Sequence, residues 1–171
     1  MSSVALLAFT LFSLLVLADG RGQTIQVPDE LAGLLPTDLL EFYNGLTPKQ
    51  ERIMDTAMNG NEGNEEGFLD FISRNDAELG QKAESVFKGF IEHLAALKME
   101  AQQFYLTLFN GLLRQFNAET SERELKGFTA DVLLQWVALK RSARRSLAVH
   151  FPSVAHALNS RTVREYAGFS F

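Results

Sequence analysis

Apolar residues recur every three to four positions along most of the chain, and strand-type alternation is nowhere sustained, so the pattern predicts an all-α fold. Val27-Pro28-Asp29-Glu30-Leu31 opens a short helix that must stop before Pro36. Thr37 or Asp38 starts a second, Leu39 to Tyr43, closed by Asn44-Gly45. Thr47-Pro48-Lys49-Gln50 has the spacing of a capping box with proline at the first helical position, and predicts a helix to about Met58. After the polar, glycine-rich Asn59 to Asn64, a short helix is expected over Glu65 to Ser73. Asn75-Asp76-Ala77-Glu78 caps a long helix to about Leu97, and another follows from Lys98 or Met99 to Phe116. Ser121 to Glu124 is a second capping box, opening a helix that runs nearly to His150, where Phe151-Pro152 breaks it. Ser153 to Leu158 is short, and Thr162 to Glu165 repeats the capping spacing ahead of Tyr166, Phe169 and Phe171.

Three of these helices differ in how much surface they must hide. On the helix ending near Leu97, Leu79, Ala83, Val86, Phe87, Phe90, Ile91, Leu94 and Leu97 fall within an arc of about 140°, as in an ordinary amphipathic core helix. From Phe104 to Phe116 the apolar residues Phe104, Leu108, Leu112, Tyr105, Phe116, Phe109, Leu113 and Leu106 sweep about 200°, twice the roughly 100° stripe of a surface helix. One neighbouring layer cannot cover that. Either the helix is central, or one side faces a partner, a membrane or an internal cavity. On the third, Val132, Leu133, Trp136, Val137 and Ala143 define an apolar face along which Lys140 and Arg144 also point. Trp136, Lys140 and Arg144 then form one i, i+4, i+8 row. Snorkelling of long stems over the core explains this row. So does an anionic ligand whose tail lies on Trp136 while its carboxylate meets Lys140 or Arg144, and a third reading is an anionic lipid surface.

Composition narrows the chemistry. With 171 residues, 46% of them hydrophobic, the chain can bury a core without staples. It contains no cysteine, which removes disulfide scaffolds, thiol catalysis and zinc ribbons. Charge is polarised: residues 19 to 131 carry 20 acidic and 10 basic side chains, whereas residues 132 to 171 carry 1 acidic and 6 basic. The overall charge of −5 suggests no nucleic-acid groove. Val4 to Leu17 is a nearly pure apolar run, shorter than the roughly 20 residues of a membrane span. Val16 and Ala18 are the small residues of a cleavage site, so residues 1 to 18 read as a secretory signal peptide, cut alternatively after Gly20. Residues 19 to 171 are then expected to form a single helical domain. The three histidines, His93, His150 and His156, lack metal-ligand spacing, the 59 to 64 stretch lacks calcium-loop spacing, and no nucleophile, phosphate or dinucleotide motif occurs. Neither a metal site nor an enzyme is expected.

Val27-Pro28-Asp29-Glu30 to Leu35-Pro36, followed by Leu39, Phe42-Tyr43 and Leu46-Thr47, resembles the opening of the secreted nematode fatty-acid- and retinol-binding proteins. The order that follows is also similar: two long central helices, a charged third, and Phe151-Pro152 near the end. The resemblance implies a compact helical wedge around an internal apolar cavity that holds long-chain fatty acids and retinol, without enzymatic activity or a further cofactor. It also implies secretion and the sequestering of host lipid signals. Transient contact with lipid membranes is a separate expectation, drawn from the basic face that carries Lys140 and Arg144. On this sequence the lining falls on Phe87, Phe90, Leu94, Phe104, Leu108, Phe109, Leu112, Phe116, Val132, Leu133 and Trp136. Lys140 and Arg144 would meet the ligand carboxylate, with Lys88 and Lys98 as competitors. Members often carry a Thr-x-x-Glu/Asp phosphorylation consensus where this chain has Thr47-Pro48-Lys49-Gln50, so that regulation is not implied here. The rival from another class is a cavity-less secreted helical interaction or effector protein.

Overall fold

The computed structural model describes residues 33–60, 65–117 and 121–169, and these hold nine helices and no strand. In chain order they are α1 Thr37–Asn44, α2 Pro48–Gly60, α3 Glu65–Asn75, α4 Ala77–Ala95, α5 Met99–Asn117, α6 Glu122–Ala138, α7 Arg141–His150, α8 Pro152–Asn159 and α9 Arg161–Tyr166. The all-α expectation holds. The leader at 1 to 18, the opening of the first predicted helix at Val27 to Leu31, and most of the glycine-rich stretch lie outside the described residues; at 33 to 35, where that helix is expected to end, the chain is turn and bend.

The described residues divide into two compact units, 38–92 and 33–37 with 93–169. In the first, Gly45 N–H closes α1 on the Glu41 carbonyl at 3.0 Å. Thr47 and Gln50 make the reciprocal box expected of them: Gln50 N–H donates to Thr47 Oγ1 at 3.4 Å, and Thr47 N–H to Gln50 Oε1 at 3.1 Å. Asp76 caps α4 by accepting from Leu79 N–H at 3.0 Å, and this bond holds its carboxyl below the usual carboxylate range. Helices α2 and α3 pack together, and Phe68 meets Phe87 edge to face at 6.0 Å over a core that includes Leu39, Met54, Ile72, Leu79 and Ala83. A Cβ on Gly80 would stand 2.7 Å from Ser73 Cα, so α3 and α4 approach too closely for any side chain there.

In the second unit α5 packs on both α6 and α7, α7 on α8, α8 on α9, and α9 returns to α6. The wide apolar arc of α5 is thus met from two sides. Phe104, Tyr105, Leu108, Phe109 and Leu112 are all buried, while Leu106 at the far edge is half-buried.

Two sequence expectations fail here. The helix opened by Ser121 does not run to His150: it ends at Ala138, and Leu139 and Lys140 are both extended before α7 begins. The break is offset by burial, since Ala143 and Leu147 go under cover on a helix that contacts α5 and α8. Thr162 forms no capping box either. α9 starts two residues earlier, after Ser160, and the Glu165 carboxylate is taken by Arg161 Nε at 2.6 Å. α9 ends on Gly168 at φ 85°, with Gly168 and Phe169 donating back to Glu165 and Arg164 as in a Schellman turn.

Candidate functional site

The second unit is organised around aromatic rings on α5. Phe104 lies 5.9 Å from Trp136 of α6, and the Trp136 indole N–H donates to Asn159 Oδ1 at 3.2 Å. Asn159 in turn donates to the Ala155 carbonyl at 2.7 Å, so the amide that receives the indole is itself fixed. The next residue, Tyr105, stacks on Phe151 at 4.4 Å and meets Phe109 at 6.0 Å. Burial pushes the Tyr105 phenol well above its ordinary value, which keeps it neutral. A Cβ on Gly111 would meet the Phe128 ring at 2.2 Å, so glycine here lets α6 close on α5. The arrangement is a closed apolar wall with one polar anchor.

Leu94, Phe104, Leu108, Phe109, Leu112, Val132, Leu133 and Trp136, all expected as lining, belong to this unit and none is more than 6% exposed. Phe87 and Phe90 belong to the first unit and are buried there, and the Phe116 side chain lies outside the described residues. The expected cationic row is broken, because Trp136 sits on α6 while Lys140 takes the N-cap position of α7. The Lys140 side chain is 80% exposed, with Nζ 3.7 Å from Glu100 Oε2. Arg144 is half-buried on α7, and Lys88 and Lys98 are exposed. His93 and His150 come together with ring centroids 6.0 Å apart, although sequence spacing did not suggest it.

A feature of the first unit escaped sequence reasoning. A pocket of about 430 Å³ opens beside α1 and α4, with apolar contributions from Phe42, Leu46, Leu79 and Val86. Asp38, Glu41, Gln50 and Lys82 supply its polar groups. Its volume falls in the range of small-molecule sites. Lys82 is held by Glu78 at 2.7 Å, which also raises its pKa. With Lys82 engaged by Glu78, Asp38 and Glu41 leave the polar side of the pocket acidic. The i, i+7 pair Leu79 and Val86 was visible in the sequence, but its partners on α1 lie about 40 residues away and depend on tertiary placement.

Among the described residues no three metal-ligating side chains cluster, and no helix is long and apolar enough to cross a membrane. No curated protein gives a significant match to the chain. The model of the nematode fatty acid retinoid binding protein family (Gp-FAR-1) matches residues 30–168, a span that includes every helix described above, and the chain belongs to that family.

Proposed function

We propose that the protein is a secreted carrier that binds fatty acids and retinol non-covalently against the apolar wall of α5 and α6, and withdraws these lipids from host tissue. The observation that carries this reading is the aromatic and aliphatic set from Phe104 to Trp136, in a chain of a fatty acid and retinoid binding family. Apolar burial supplies the affinity. About sixteen methylenes at ~0.8 kcal/mol give roughly 13 kcal/mol gross, and association and ordering leave about 8 to 11 kcal/mol, or micromolar to tens of nanomolar. Because the wall is closed to water, a ligand has to part the rings, and Trp136 moves with them.

Arg144, half-buried, is the better candidate for the ligand carboxylate than Lys140, which is exposed and paired with Glu100. A charge-assisted hydrogen bond of that kind predicts that Arg144→Ala weakens oleate about tenfold and leaves retinol nearly unchanged. The test is titration of oleate and retinol against Trp136 emission, together with displacement of a fluorescent fatty acid. Saturable changes and displacement support the carrier; silence in both points instead to a solid helical interaction protein.

A further inference from the structure

The first turn of α5 lies alongside α7. Lys98 N–H donates to Ser146 Oγ at 3.1 Å, and Glu100 accepts from Lys140 N–H at 3.3 Å while pairing with its ammonium. On α7, Arg141, Ser142, Arg145, Ala148 and Val149 are all exposed, and at the helical step they occupy one arc of about 120°. Ala143 and Leu147 are buried on the other side. Two large apolar side chains stand out in water here, Met99 at 74% and Val149 at 66% exposed. Lys98, Lys140, Arg141 and Arg145 accompany them. The acidic residue in these contacts, Glu100, is engaged by Lys140.

We propose that this face docks on anionic phospholipid membranes, with the cations meeting lipid phosphates and Met99 and Val149 entering the interfacial layer. Charge complementarity argues for that occupant: the chain carries −5 overall, yet residues 132 to 171 hold six of its sixteen cations and one of its 21 carboxylates. Exposed apolar residues beside exposed cations match a surface that offers phosphates above hydrocarbon. Each cation near such a surface strengthens binding about fivefold. That contact with a membrane would load or unload the carrier rests on the proposed function; the docking itself does not.

Flotation of the full chain with phosphatidylcholine vesicles, with and without about 30% phosphatidylglycerol, tests this at ~0.1 M and ~0.5 M salt. Binding should favour the anionic vesicles and fall with salt. Arg141→Glu with Arg145→Glu should remove at least about 25-fold of that preference, given about fivefold per cation. Met99→Ser with Val149→Ser should weaken binding at both salt concentrations. Equal binding to neutral and anionic vesicles, or an anionic preference undiminished in the charge-reversed chain, overturns the proposal. Helical circular dichroism identifies any variant that fails to fold. Fluorescent fatty-acid displacement by the variants should match the parent, so loss of docking and loss of carriage are read separately.

Discussion

Helices α2, α4 and α6 begin in one way, and α7, α8 and α9 in another. The first three start on side chains that satisfy their own free N–H groups: Thr47 with Gln50, Asp76 with Leu79, and Ser121 with Glu124. The last three start at Lys140, Phe151 and Ser160 with no side-chain cap. α7 even begins with cations against the positive end of its own dipole. Its position is held from outside, by Ala143 and Leu147 on that helix and by Phe151, Val154 and Leu158 after it. Capped starts are written locally; uncapped starts exist because burial imposes them.

The comparison breaks most visibly at Phe151. Phe151→Ala removes a buried ring stacked on Tyr105 at a joint with no side-chain cap, and should cost about 3 to 5 kcal/mol in urea unfolding. A loss near that of a surface site would show that α7 and α8 hold themselves. Caps come next in size. Ser121→Ala should cost about 1 kcal/mol, whereas Lys140→Ser, which offers α7 the cap it lacks at an already extended residue, should gain about 0.5 to 1 kcal/mol. Destabilisation by Lys140→Ser would mean that its ion pair with Glu100 outweighs a cap.

The smallest effect sharpens the capped side by its sign. Burial raises the Asp55 pKa above its usual 3.8, and Oδ1 has no hydrogen-bond partner among the described residues. Folding therefore favours its protonated form, so its charge costs stability above the raised value and nothing below the usual one. Asp55→Asn should raise Tm at pH 7, with the gain shrinking as pH falls toward 4. Asp76 behaves oppositely: its lowered pKa gives a contribution that is complete above 3.8 and lost as pH falls through the lowered value. Thermal melts of both asparagine variants against pH would expose the crossing; parallel curves would remove the distinction.

The sequence was legible where structure is local. Thr47, Asp76 and Ser121 mark their helices within a residue, and Pro152 and Gly45 mark ends, because each acts through neighbours on the chain. The break at Leu139 and Lys140 was not legible. Ala143 and Leu147 keep the helical phase of Trp136 across it, so the period carries no trace of a turn whose cause is burial against α5 and α8. The same holds for the site. Burial of Phe104, Leu108 and Trp136 followed from spacing, while the Trp136 to Asn159 hydrogen bond, the meeting of His93 with His150, and the α1 to α4 pocket all join residues distant in sequence.

Phe151 ends α7 and begins α8, and Ser160 ends α8 and begins α9. Joints of a single residue leave no slack. One residue inserted at either would turn the next helix by about 100° and carry Val154 and Leu158, or Val163, out of the core. The chain from 141 to 166 is therefore constrained in length as well as in composition: change there can proceed by substitution, whereas insertion or deletion would dismantle the support of Trp136.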